Sequence, residues 1–333
     1  MNRELSADDE LGADQVYQLA GGDPDTVMAA VERIDPDGDS LMGVMRMVDR
    51  YNGKPFTVVA AQADRLAQVG RLRDRSAEQL SQLAEELHPE EPDPLRITDF
   101  LKLDITVDTV ESDNPMNLGA RIAVDGENPK TVLIDELTTG DHEYDIDLPE
   151  CAKGCRLIGI GAVRYPGDYD TVDVSLRVNA LRDATGALDA GLTDPDAWRP
   201  SWQLSPNVDL AATPGPDGLS LAVTTDEADD LLAEYVAAPP ALPAMVAGAI
   251  PNADADHGQF DFLGPHNELQ TYQQISTSTV IPRGGSAGIL VDLDYTNRYA
   301  QSITALGMQD DLNYEIWASD SAPPDLAQRL AES

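Results

Sequence analysis

LKLDITVDTV, residues 101–110, sets an apolar side chain at every second position from Leu101 to Val107. A helix would repeat them every three or four residues; a period of two belongs to a strand buried on one face. The same texture recurs in ARIAVDG (120–126), KTVLIDEL (130–137), HEYDIDL (142–148), CRLIGIGAV (155–163), TVDVSLRV (171–178) and LSLAVTT (219–225). Gly, Pro, Asn or Asp bounds each run. Short alternating strands separated by turn signals predict an antiparallel β-sandwich of the jelly-roll kind over residues 96–237.

Outward from this block the texture changes. After GGDPD, TVMAAVERI places Val27, Ala30, Val31 and Ile34 on one helical face, with Asp25 as the expected cap. DPDGDS (35–40) is a turn, followed by strand-like LMGVMRMV and PFTVVAA. ADRLAQVG and SAEQLSQLAEELHP read as helices; in the second, Ser76 and Gln79 form a capping box and Leu80, Leu83 and Leu87 a stripe. Beyond APPALPAMV (238–246), PRGGSAGILVDLDYTNRYAQSI reads as a Gly-rich turn, a strand and a helix, YEIWAS as a strand and PPDLAQRLAES as a helix. Helices interleaved with apolar strands predict an α/β layer. The expected architecture is α+β and multi-domain: residues 1–95 with 238–333 form one split α/β domain, and 96–237 form the inserted sandwich.

A chain of 333 residues fits two domains. Its 60 acidic against 22 basic residues give a formal charge of −38. Such a surface repels phosphate backbones, so nucleic acid is excluded as a partner. The most apolar stretch, YVAAPPALPAMVAGAIP, carries four prolines and does not read as a spanning helix; the start has no signal-like segment. The two cysteines, Cys151 and Cys155, stand in PECAKGCRL. Structural zinc wants four ligands, and His88, His142, His257 and His266 show no ligand spacing. A redox pair more often reads C-x-x-C beside a helix start. A local disulfide fits best; it implies an oxidising, extracytoplasmic setting, and two buried free thiols are the plainer alternative.

No chemistry stands out. Asp35, Asp37 and Asp39 superficially resemble a calcium loop, but positions 6 and 12 are Ser40 and Arg46 where Gly and Glu are required, leaving an aspartate-rich turn. Asp254, Asp256, His257 and Asp261 could bind a metal, but a solvated loop is the favoured reading. PRGGSAG lacks the final Lys-Ser/Thr of a phosphate loop and precedes a strand where such a loop follows one. Trp198 and Trp202 in DAWRPSWQL, with Tyr165, are candidate stacking surfaces for a sugar; the alternative is that the tryptophans cover the end of the sandwich core. No catalytic residues, metal ligands or cofactor are expected.

Five segments together carry a family resemblance: VERIDPDGDSLMGVM, VVAAQADRLAQVG, CAKGCRLIGIG, VIPRGGSAGILVDLDYTNRYA and YEIWASDSAPPDLAQRLAES. In that order they resemble the large extracytoplasmic domain of actinobacterial FtsX-like (MacB-type) ABC transporter permeases. Ile281 and Thr296 depart mildly from the pattern, where Leu and Ala are usual. The resemblance implies a non-catalytic domain on the outer face of the cell membrane, with a porter-like split domain adjoining the membrane helices of the parent permease. It also implies flanking transmembrane helices, ATP hydrolysis in a separate cytoplasmic subunit, and a cell-envelope protein or exported substrate as further partner. EEPDPL and APPALPAM are the expected hinges. The competing expectations are a secreted carbohydrate-binding module built on the sandwich and a hydrolase with a carboxylate pair.

Overall fold

The computed structural model describes residues 12–51, 53–73, 75–89, 92–124, 127, 129–164, 171–201, 204, 208–226, 230–250, 258–303 and 312–332. The protein is an α+β chain, rich in strand, with three sheets. It opens with β1 (Gln15–Gln18), α1 (Pro24–Ile34), β2 (Leu41–Tyr51), β3 (Lys54–Ala61), a 3-10 turn (Ala63–Arg65), α2 (Leu66–Val69) and α3 (Ala77–Leu87). Next come β4 (Arg96–Ile97), β5 (Phe100–Glu111), β6 (Asn117–Val124), β7 (Lys130–Glu136), β8 (Gly140–Asp147), β9 (Cys155–Val163), β10 (Val172–Asp183) and β11 (Gly186–Ala187). After these lie β12 (Trp198–Pro200), β13 (Ala211–Gly215), β14 (Gly218–Thr225) and β15 (Leu231–Tyr235). The chain continues through β16 (Leu242–Ala247), β17 (Gln259–Leu263), β18 (Leu269–Ser278), β19 (Gly288–Asp292), α4 (Leu293–Ile303), β20 (Asn313–Ala318) and α5 (Leu326–Glu332).

Two compact units result. The first takes the described residues up to Pro92, Ala238–Ala300 and those from Leu312 onward; the second takes Asp93–Ala237, with Gln301 to Ile303 grouped with it. Within the first, both ends of the chain build one eight-stranded sheet in the order β1-β20-β2-β3-β19-β16-β18-β17. Its pairs are antiparallel except β3–β19 and β16–β18. Alternation along the strands sends Met42, Val44, Val59, Ala61 and Leu290 to a core shared with α2 and α3, where Leu66, Val69, Leu80, Leu83 and Leu87 are buried. The Ser76–Gln79 capping box that opens α3 forms in both directions, satisfying two N–H groups that the first helical turn leaves unbonded. On the opposite face α1 packs against the bare Gly43, where a Cβ would stand 2.9 Å from Val27 Cγ1. The cap of α1 is Asp23, not Asp25: its side chain accepts the N–H of Thr26, and Pro24 supplies a first helical residue that needs no N–H partner. Asp25 instead lies in the buried first turn and accepts from Asn297 Nδ2 of α4.

The second unit pairs two antiparallel sheets, β13-β14-β10-β5-β8 with β11 added on β10, and β12-β15-β9-β6-β7 with β4 added on β9. Leu101, Leu103 and Ile105 of β5 and Leu176 and Val178 of β10 share one core with Leu118 and Ile122 of β6 and Leu157 and Ile160 of β9. In β9 every residue is buried. The GIG of this strand has a steric cause: a Cβ on Gly159 would stand 2.7 Å from the Ala233 carbonyl oxygen, and one on Gly161 2.2 Å from that of Leu231. β15 therefore approaches β9 as only glycine permits.

Candidate functional site

In the first unit the parallel strands β3 and β19 end side by side at Ala61 and Asp292, and helical backbone follows each within two residues. The ground outside the carboxyl ends of parallel strands is where open α/β sheets gather functional groups. Here it is organised by Asp292, which is buried. Its Oδ1 accepts the Tyr295 backbone N–H at 2.7 Å, capping α4, and lies 3.0 Å from His88 Nδ1. Its Oδ2 accepts the Ala63 N–H at 3.1 Å. One carboxylate thus joins β19, α4, the 3-10 turn after β3 and the residue that ends α3.

The imidazole of His88 stacks on Tyr295, ring centroids 4.2 Å apart. The Arg298 guanidinium also lies over that ring, 5.2 Å from its centroid, and pairs with Asp294 at 2.5 Å. Tyr295 Oη donates to the Pro89 carbonyl and Arg298 to that of Pro92, so the chain leaving α3 is fastened to α4. Burial opposes a charge on His88, but the bond to Asp292 and the charges of Asp292 and Asp294 outweigh it and raise the imidazole above its ordinary range.

A pH dependence follows. Because the folded-state value is raised, the stabilisation is complete below the unfolded value of about 6.5 and is lost as pH rises through the folded one. Wild type should exceed His88→Gln in stability most at pH 5.5, with the margin shrinking by pH 8.5. Urea denaturation at both values checks this, and a margin independent of pH contradicts it.

His88, Asp292 and Asp294 offer ligand atoms within 4.8 Å of one another. Those atoms are already engaged: Asp292 by two backbone N–H groups and His88, Asp294 by Arg298. A cation would have to displace a guanidinium, so the set suits an ion-pair clasp better than a metal centre.

A second buried charge holds the PRGGSAG turn. Arg283 Nη2 donates to Glu315 Oε1 at 2.7 Å, Trp317 Nε1 donates to Oε2 at 2.9 Å, and Arg46 Nε lies 3.5 Å away. Arg283 has φ of 60°, one of three non-glycine residues with positive φ among those described. Gly288, at the close of the turn, stands where a Cβ would meet the Thr57 carbonyl oxygen at 2.4 Å. Across α1 a third network closes the DPDGDS turn: Asp35 accepts the N–H groups of Asp39, Ser40 and Leu41, and Arg65 donates to Asp35 and to Glu32 Oε2. Neither arginine announced its partner in the sequence; Arg65 and Asp35 lie 30 residues apart.

Of the residues the sequence singled out, Cys151 and Cys155 are joined in a disulfide, at the mouth of β9. Trp198 is 3% exposed, donates its indole N–H to the Ala190 carbonyl at 2.8 Å and meets Tyr235 edge-on. Its ring covers core and offers no stacking face, which corrects its candidacy as a ligand contact. Trp202, Tyr165, Asp254, Asp256 and His257 lie outside the described residues. Asp261 is exposed and accepts from Thr271 Oγ1. Among the described residues no helix is long and apolar enough to cross a membrane.

The disulfide closes a five-residue loop, worth about 2 kcal/mol in the chain-entropy picture. Intact mass should rise by two hydrogen atoms on reduction, and Cys151→Ser with Cys155→Ser should lower the melting temperature of the sandwich. Identical masses with and without reductant contradict the bond. No protein-family model matches this chain, and no curated protein matches it in sequence.

Proposed function

We propose that the chain is a non-catalytic, extracytoplasmic domain of an ABC transporter permease of the FtsX-like kind, contacting a substrate or envelope partner and carrying motion from membrane helices. The observation that carries this reading is the edge of the large sheet: β1 pairs with β20, Gln15 against Ala318, so the first and last described strands are hydrogen-bonded neighbours. A displacement applied at either flank acts on one sheet, as a lever requires. The clasp around Asp292 stiffens the same unit, and its donors are already occupied, consistent with structure more than turnover. The disulfide supports an oxidising compartment.

The sandwich is read as a jelly roll. Take β5, β6, β7, β8, β9, β10, β14 and β15 in order: the first pairs with the fourth and sixth, the sixth with the seventh, the second with the third and fifth, and the fifth with the eighth. Those are jelly-roll pairings entered at the third strand, which supports this topology. A carbohydrate-binding role has less support, since Trp198 turns its ring into the core.

The test is biochemical. The native protein, solubilised in detergent from its source and purified on an antibody against this domain, should co-elute with a nucleotide-binding subunit and with ATP hydrolysis. A purified complex devoid of ATPase activity and of any such subunit would overturn the transporter reading.

A further inference from the structure

Where hairpin β17–β18 meets α4, a polar cluster lies apart from the clasp at Asp292. Gln270 and Tyr272 are two apart on β18, so both point to the buried side of the sheet, and neither is exposed at all. His266, in the hairpin turn, is 5% exposed, its ring centroid 5.5 Å from that of Tyr299 on α4. Among the described residues no group hydrogen-bonds to His266 Nδ1 or Nε2, to Gln270 Nε2 or Oε1, or to the Tyr272 hydroxyl. Buried polar atoms in native proteins are nearly always satisfied. Three neighbouring side chains with five such atoms call for a partner that no described residue supplies.

Gly264 lets two of these side chains gather against the backbone. Its φ lies outside the left-handed range, so the backbone does not require glycine there. A Cβ on it, however, would stand 2.4 Å from His266 Cε1, 2.9 Å from His266 Nδ1 and 3.0 Å from Gln270 Oε1. The bare Cα lets the His266 ring and the Gln270 amide close this near to the backbone, so two of the unbonded groups converge there. Burial pushes the His266 imidazole down to about 4 and the Tyr272 phenol up, so all three side chains are neutral. Neutral imidazole, amide and phenol each donate and accept. An ionic guest would lose its hydration and gain no counter-charge from them; a hydroxyl satisfies both their donors and their acceptors.

We propose that Gly264, His266, Gln270 and Tyr272 form a buried site for a small neutral guest bearing hydroxyl groups, supplied by water or by a polyol. Tyr272→Phe keeps the ring and separates a bonded hydroxyl from an orphan. With a guest on the hydroxyl, the full chain loses a hydrogen bond and its melting temperature falls by about 2–4 °C. An unchanged or raised melting temperature overturns the site, because removing an unpaired buried hydroxyl relieves its desolvation. A crystal structure grown without polyols should show ordered oxygen within hydrogen-bonding distance of the Tyr272 hydroxyl and the His266 ring; a dry cluster, or one closed by protein groups, overturns the proposal. Glycerol titration separates the sources. A saturable rise in melting temperature that Tyr272→Phe abolishes assigns the site to a polyol, and crystallographic oxygen without such a rise assigns it to water.

Discussion

Glu315→Ala should destabilise the split unit by about 3 kcal/mol, the lower end of the range for breaking a buried charge pair. The side chain is fully buried, accepts from Arg283 and Trp317, and pairs its charge with Arg46 as well. Its loss leaves Trp317 Nε1 without an acceptor and two arginines without their counter-charge, and it frees the turn that positions β19. The lower end applies because Arg283 and Arg46 remain 29% and 21% exposed and can recover some hydration. Burial opposes the Glu315 charge, but the bonds from Arg283 and Trp317 and the arginine charges hold its carboxyl below the usual range. The sign follows: a depressed folded value gives stability that is present above the unfolded value and lost as pH falls through the folded one. The gap between wild type and variant should therefore persist at pH 7 and narrow in acid. Urea melts at pH 7 and pH 4 measure it, and a neutral-pH loss below about 1 kcal/mol, no more than a surface ion pair contributes, contradicts the account.

Arg65→Ala should cost about 3–5 kcal/mol. Arg65 is 4% exposed, and its guanidinium donates to the carbonyls of Asp35 and Leu41 as well as to the carboxylates of Asp35 and Glu32. It ties the turn after β3 to the end of α1 and the start of β2. Arg65→Lys should recover less than half the loss, because one ammonium cannot reproduce a planar fork that meets several acceptors. Asp35 adds a pH signature. Burial raises its carboxyl, but three backbone N–H groups and Arg65 outweigh this and lower it, so its contribution is present above about pH 4 and fades as pH falls through the folded value. Equal stability of the lysine variant and wild type contradicts this role.

The sandwich strands were legible where one face of a strand is buried and the other wet, as along β5, whose burial alternates residue by residue from Phe100 to Val107. β15 left no such signature: Leu231 to Glu234 are buried without alternation, and the run abuts APPALP. A strand covered on both faces has no period of two to read. The cap of α1 was legible in principle, because Asp23 precedes Pro24 and proline favours the first helical position; the period alone pointed two residues too far. The clasp was out of reach. His88 and Asp292 lie 204 residues apart, and no local spacing signals a contact made by two strands ending side by side. LVDLDYTNRYA drew notice as a segment, but what Asp292, Tyr295 and Arg298 each touch depends on that register. His266, Gln270 and Tyr272 sit within seven residues, yet only burial distinguishes them from an ordinary polar hairpin.

The proposed permease role requires that this chain work attached to a membrane. Its most direct test is alkaline carbonate extraction of membranes from the source cells, followed by immunoblotting for this domain. The permease reading predicts that the native protein stays in the membrane pellet and that protease added to cells stripped of their outer envelope removes the domain. Complete release by carbonate, with the domain recovered as a free protein, would contradict it.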